Sequence, residues 1–481
     1  RRTSNIGDLM PLILGTNSIK DTGFDVANSL RFNSGSDDSL SINAGTSSNR
    51  RTFTFSTWVK TSAVESDRQE LLGAGGSSDQ NHILIEQQGG LSIWHYTGSF
   101  TTKITTSALL RDPSAWMHLV CAVDTTQGTE SNRIKLYING VQQTSLSETN
   151  YPDQNFDFDF MQNGTTTYIG RRGHEAGYRL NSYLAETVFI DGQQLDPTSF
   201  GEFDSDSPTI WKPIDVSGLT FGNAGFYLDY EDSSALGNDA AGSNNFTVNN
   251  LTAIDQSTDT CTNNFATGNP LLKNPSNTLT FSEGNLKIVT DSSSRQNGFS
   301  TIGVTTGKWY GEFKLSSDAN NKAMIGIANG SGASETSRNN SYLGTETGTV
   351  SVYNSGTKYI DGSSSSYGNS YSAGDIIGIA LDLDNSAVYF SIDGTFQNSG
   401  NPTSGASKTG AISFTKGDDF WFMGFGDGST SGAAVTWEAN FGSPPYAISS
   451  GNADGNGYGN FEYSVPSGYY ALNTKNLAEY G

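Results

Sequence analysis

Gly374-Asp-Ile-Ile-Gly-Ile-Ala-Leu-Asp-Leu383, followed by Ala387-Val-Tyr-Phe-Ser-Ile392, decides the fold. Ile377, Ile379, Leu381 and Leu383 recur at period two, the spacing of side chains along one face of a β-strand. Asp384-Asn385-Ser386 turns the chain, and the second run returns before Asp393-Gly394 turns it again. Two adjacent strands joined by tight turns predict an antiparallel sheet with one buried face.

The same pattern recurs outward from this hairpin. Trp309, Phe313 and Leu315 alternate in Gly307-Lys-Trp-Tyr-Gly-Glu-Phe-Lys-Leu315. Met324–Ala328 and Phe420–Phe425 read as buried strands. Earlier in the chain, Phe53, Phe55 and Val59 share one face of Arg51–Lys60. Ile134, Leu136 and Ile138 alternate before Asn139-Gly140, a dipeptide suited to the positive φ values of a type I′ turn. Ile83–Ile85, Leu91–Trp94, Trp116–Val123, Thr167–Gly170 and Tyr183–Ile190 complete the first set. Asp196-Pro197 opens one short helical turn. No long amphipathic helix and no heptad repeat are visible. The reading is all-β: two antiparallel β-sandwiches joined by an irregular connector. The expected boundaries are an arm over 1–27, a sandwich over 28–205, a connector over 206–266, a sandwich over 267–448 and a tail over 449–481.

Composition supports this organisation. Glycine supplies 56 of 481 residues, against an average near 7%, and suits many tight turns. Aromatics reach 11% and sit inside the alternating stretches, which argues against disorder. The formal net charge of −22 comes with no Lys/Arg cluster, so a nucleic-acid groove is not expected. No stretch approaches the roughly 20 apolar residues of a membrane helix. Cys121 and Cys261 fall in different expected units, so no disulfide is expected. Two cysteines and four histidines do not suggest a structural zinc site. Met10-Pro-Leu-Ile-Leu14 is shorter than a signal-peptide core of about 7–15 residues, so no secretion signal is expected.

Three constellations carry candidate chemistry. Glu65-Ser-Asp-Arg-Gln-Glu70 spaces its acids as E-x-D-x-x-E. Its intervening residues are all polar, so the segment reads as an exposed loop and no catalytic residue is assigned. Asp153, Asp157 and Asp159 cluster as calcium ligands would, although Phe156, Phe158 and Phe160 between them equally suit a plain edge strand. No other cofactor is expected. The third class is saccharide binding, which uses exposed aromatic faces beside polar groups. Trp94, Tyr96, Arg171 and Arg172 are candidates in the first sandwich; Tyr342, Tyr353, Tyr359, Tyr367 and Tyr371 are candidates in the second. The Gly/Ser-rich run from Tyr359 to Tyr371 is expected to display its tyrosines on a binding loop.

Phe53–Lys60, Trp116–Val120, Leu136–Gly140, Tyr168–Gly170 and Leu184–Ile190, in that order, resemble the laminin-G-like, concanavalin A-like jelly roll. Domains of that kind often hold calcium at the sandwich rim. Gly307–Phe313, Gly374–Asp382 and Val388–Gly394 resemble a SPRY domain, whose binding loops usually lie at one end of the sandwich. Met10–Asn17, Phe189–Pro197 with Ser199–Phe203, and Gly468–Leu477 resemble structural proteins of marine tailed bacteriophages. That resemblance implies a virion component assembled in the host cytoplasm: a non-enzymatic tail fibre or related appendage, expected to be a homo-oligomer. It would bind host-surface glycans or neighbouring virion proteins, without nucleic acid or membrane insertion. A capsid decoration or connector without ligand, and a glycan-cleaving tail spike, are the alternatives.

Overall fold

The computed structural model describes residues 20–62, 67–175, 177–273, 279–291, 294–338, 341–428, 430, 432 and 434–481. The Met10–Leu14 stretch and Glu65 lie outside the described residues. The chain forms two compact units, Asp21–Thr262 and a second built from Asn263–Gly481 with Lys20, whose ammonium meets Glu479 at 2.6 Å. Each unit is an antiparallel β-sandwich.

In the first unit, one sheet runs in the order Val141–Gln142, Ile134–Ile138, Met117–Asp124, Thr52–Thr61, Ser182–Asp191, Ser29–Phe32, Gln256–Ser257. The other runs Leu146–Asn150, Phe100–Leu109, Gly90–Tyr96, Asp79–Ile85, Gln69–Gly76, Thr166–Ile169, Ser39–Asn43, Thr247–Asn249. Phe53, Phe55, Val59, Ile134 and Leu136 are buried between them, as their alternation requires. Asn139 and Gly140 have φ of 46° and 77°, the left-handed pair of the expected turn. Asp196 caps the short 3-10 helix Pro197–Ser199 by accepting from the Thr198 N–H.

The stretch expected to be a connector is part of this sandwich. Phe226–Leu228 pairs with Ser182–Asp191, Thr247–Asn249 with Ser39–Asn43, and Gln256–Ser257 with Ser29–Phe32. Phe226, Leu228, Tyr230 and Phe246 are buried in the core. A Cβ added at Gly140 would lie 2.4 Å from the Trp211 ring, so the tight turn and this segment are fitted to each other. Cys121 and Cys261 are both free thiols.

In the second unit, one sheet runs Thr280–Ser282, Lys287–Val289, Val435–Asn440, Lys308–Asp318, Ile376–Asp382, Ala387–Ile392, Thr395–Phe396. Its partner runs Asn297–Phe299, Trp421–Asp427, Ala323–Asn329, Thr349–Tyr353, Thr357–Ile360, Ser363–Ser366. Trp309, Phe313, Ile377, Ile379, Leu381, Phe425 and Trp437 fill the space between. The expected tail also belongs to its unit. Tyr470–Ala471 pairs in parallel with Lys308–Asp318, and Phe461 packs on Tyr310. The helix Thr474–Tyr480 follows, capped by Asn473. No helix among the described residues is long and apolar enough to cross a membrane.

Candidate functional site

The second sheet of the first unit sends Ile83, Ile93 and Ile104 into the core. By alternation, His82, Trp94 and Lys103 stand on the opposite, outer face. Register aligns them in one row: His82 is paired with Trp94, and Trp94 with Lys103. The His82 and Trp94 rings lie 4.0 Å apart. Behind them, His82 Nδ1 is 2.6 Å from Glu70 Oε2, with both side chains fully buried. A Cβ at Gly73 would lie 3.1 Å from the Glu70 carboxyl carbon, so the glycine makes room for this pair.

Burial pushes the Glu70 carboxyl well above its usual range, Arg172 opposing and Glu86 reinforcing the shift. Burial, aided by Arg172 and Arg68, pulls the His82 imidazole down to about 3. Burial thus disfavours the charged form of both groups.

Charged groups surround this pair. The Arg68 guanidinium donates to Glu86 at 2.7 Å and to the Tyr178 hydroxyl at 3.2 Å. It lies 5.3 Å from the Tyr178 ring, and Arg172 lies 4.7 Å from the same ring. Lys103 sits 4.9 Å over Phe100, which is 41% exposed. Beside Lys103 and Glu86 opens a groove of about 410 Å³ whose walls also include Gln87, Gln88, Thr105 and Glu148. Hydroxyls, amides and charges share that wall with apolar atoms, Leu109 among them. Such a surface can exchange hydrogen bonds with a polyhydroxylated ligand.

The structure sorts the expected site residues differently from their sequence context. Trp94 is buried under His82, Phe100 and Tyr178, so it supports the site and offers no open stacking face. Tyr96 is half-exposed and packs on Phe100 at 5.2 Å. Arg171 lies over Tyr168 at 4.7 Å, next to Arg172. Arg68, Glu86, Lys103 and Tyr178 were not among the candidates. Arg68 lies inside the acidic string considered for catalysis, and the alternation of Ser92, Trp94 and Tyr96 was the available pointer to an outer face. In that string, Asp67 accepts from the Arg68 N–H, and Glu70 is held by His82.

The aspartates do not fit a calcium cradle. Asp157 is bridged to Arg51 at 2.9 Å and Asp159 is engaged by Arg50. Asp153 turns the chain by accepting from the Phe156 N–H through its carbonyl. Phe158 and Phe160 are buried around Phe53, in irregular chain and not in the edge strand. Among the described residues, no three His, Cys, Asp or Glu side chains come together as metal ligands.

In the second unit the five tyrosines separate. Tyr367 and Tyr371 are 6% and 3% exposed and belong to the core, which corrects the expectation of a displayed loop. The Tyr371 hydroxyl donates to the Val352 carbonyl at 2.9 Å. Tyr342, Tyr353 and Tyr359 do gather, half-buried, with ring centroids 5.4 and 6.4 Å from Tyr359. Arg295 covers Tyr342 at 5.1 Å.

Comparison with known proteins fits this architecture. Residues 34–193 match the concanavalin A-like lectin/glucanases superfamily in its laminin-G form, and residues 308–418 match the SPRY domain. No curated protein matches the chain. Among solved structures, the SPRY domain of human HERC1 is similar at 14% identity and a TM-score of 0.25, over 32% of this chain and 87% of that one. A candidate carbohydrate-binding protein from Bacteroides ovatus is similar at 17% identity and a TM-score of 0.31, over 47% of this chain and 59% of that one. The heptameric SAP-like pentraxin of Limulus polyphemus is similar at 13% identity and a TM-score of 0.27, over 47% and 94%.

Proposed function

We propose that this chain is a non-enzymatic surface protein of a bacteriophage virion, a tail fibre or related appendage, that binds host-surface glycan through the first unit. The observation that carries the glycan reading is the groove beside Lys103 and Glu86, on the outer face of a sandwich matched to a lectin-type superfamily. The resemblance of Phe189–Phe203 and Gly468–Leu477 to phage structural proteins supplies the virion context. A non-enzymatic role is supported by Glu70: this buried carboxyl of the acidic string is occupied by His82. Retaining hydrolysis asks instead for two carboxyls about 5–5.5 Å apart around an open bond.

The test is binding of the full chain to purified surface polysaccharide of a host, with new reducing ends assayed in the same tube. Saturable binding without cleavage is the expected result. Cleavage lost in Glu70→Gln identifies a tail spike. Absence of binding to any host polysaccharide, with the chain located inside the capsid shell, identifies an architectural subunit.

A further inference from the structure

We infer that Lys60 and Asp259 condense to an intramolecular amide, a covalent cross-link between the strand Thr52–Thr61 and the far end of the first unit.

The sheet brings the two residues together. From Thr52–Thr61 it continues through Ser182–Asp191 and Ser29–Phe32 to Gln256–Ser257. Val59 faces the core, so Lys60 stands on the opposite face, in register with Tyr183. The Lys60 ammonium passes the Tyr183 ring at 5.7 Å and ends 2.7 Å from Asp259 Oδ2. Asp259 is fixed at its backbone: its carbonyl accepts from the Ser29 hydroxyl at 2.6 Å, and its N–H donates to the Ser257 hydroxyl at 3.1 Å.

Both side chains are 1% exposed. A buried ion pair forfeits the hydration of two charges, whereas an amide in the same place carries none. Burial pulls the Lys60 ammonium below its usual range, against Asp259 and Asp112, and so favours the free amine. The free amine is the nucleophile that amide formation needs. Reactants held in a fixed orientation reach effective molarities of about 10⁵–10⁸ M.

The neighbours supply the remaining chemistry. Trp116 Nε1 donates to Asp259 Oδ1 at 3.0 Å, where negative charge gathers as the amine attacks. Asp112 is the other carboxylate whose charge reaches Lys60, and its Oδ1 accepts from the Ser114 N–H and hydroxyl at 2.8 and 2.6 Å. It serves as proton carrier. The ammonium passes one proton through Asp112 to Asp259 Oδ2, and the freed lone pair bonds to Cγ. A second nitrogen proton follows the same route, and Oδ2 leaves as water. One ammonium and one carboxylate become one amide and one water, with no oxidant or activating group.

The link joins residues 199 apart in sequence, within a unit that spans Asp21–Thr262. Tension along the chain then crosses from Lys60 to Asp259 and bypasses the sandwich folded between them.

The experiment is mass spectrometry of the denatured full chain, intact and after proteolysis. The intact mass is expected to fall short of the sequence mass by one water. Digestion is expected to yield a branched peptide that joins the Lys60 and Asp259 segments. Lys60→Met and Asp259→Ala each abolish both signals. Asp112→Asn slows the appearance of the branched peptide in freshly made chain by about a hundredfold; an unchanged rate overturns the role given to Asp112. Wild-type chain at full mass with only linear peptides overturns the cross-link, whether or not the variants fold. So does a missing water traced to any residues other than this pair.

Discussion

Lys60 Nζ lies 2.7 Å from Asp259 Oδ2, and each side chain is 1% exposed. The pair joins the long strand Thr52–Thr61 to a stretch whose composition reads as a connector. Trp116 Nε1 donates to the other Asp259 oxygen at 3.0 Å. Removing one member of a buried pair leaves an uncompensated charge and costs about 3–5 kcal/mol. Lys60→Met and Asp259→Asn are therefore each expected to destabilise the first unit by that order in urea unfolding. A chain ended after Phe203 is expected not to fold, whereas one ended after Thr262 does. Cooperative unfolding of the shorter chain would refute the boundary.

Tyr371 separates display from packing. Its hydroxyl is satisfied by the Val352 carbonyl, and its ring lies 6.3 Å from Trp437 in the core. Tyr371→Ala leaves a cavity and an unmet acceptor, a loss of about 3–5 kcal/mol. At roughly 2–4 °C per kcal/mol for a domain of this size, the melting temperature should fall by on the order of 10 °C. Tyr359→Ala, at a half-buried surface position, should cost about 1 kcal/mol or less. Equal melting shifts in the two variants would contradict this assignment.

The contrast between these tyrosines shows where sequence legibility ends. Runs such as Gly374–Leu383 and Arg133–Gly140 announce themselves because each holds enough residues for a period to register. Phe226–Leu228 and Gln256–Ser257 are two or three residues long, too short for any period, and their pairing depends on distant strands. Gly and Ser around Tyr367 and Tyr371 report a turn-rich segment but carry no information about whether it folds back over the core. The site was half legible for a similar reason. Arg172 and Trp94 stand out by local composition, whereas Lys103 joins them only through sheet register, and Arg68 and Tyr178 only through irregular segments that lead into Gln69–Gly76 and Ser182–Asp191.

His118 should make the first unit acid-sensitive. Its Nδ1 accepts from Trp211 Nε1 at 3.0 Å, so the proton lies on Nε2, which donates to Ser56 Oγ at 2.8 Å. Trp58 stacks on the ring at 4.9 Å. Burial lowers the imidazole to about 3, below its ordinary 6.5. The unfolded chain thus binds the proton more tightly than the fold. Stability is full above about pH 6.5 and falls as pH drops toward 3, by on the order of 5 kcal/mol at the acid limit. His82, also lowered to about 3, adds in the same direction. NMR of the native protein should show the His118 ring neutral at pH 5. A midpoint near 6.5 would mean that the ring is open to water.

Glu312 ties the C-terminal segment to the second unit. Its Oε1 accepts from the Tyr463 N–H at 2.8 Å and the Tyr310 hydroxyl at 3.1 Å, and its Oε2 accepts from the Glu462 N–H at 2.8 Å. Glu312→Ala strands two backbone donors and opens a cavity, so a loss of about 3–5 kcal/mol is expected. Glu312→Gln keeps one oxygen and should cost less. Burial raises the carboxyl to about 7, and the two backbone donors oppose the shift. A folded value above the unfolded one means that the fold favours the protonated acid. Wild-type stability is then highest below about pH 4.5 and declines until pH passes 7. Glutamine has no proton to lose, so the melting difference between wild type and Glu312→Gln should shrink from pH 5 to pH 8. A difference that widens over that range would show that the donors hold an ionised carboxylate, and that the bonds outweigh the cost of burial.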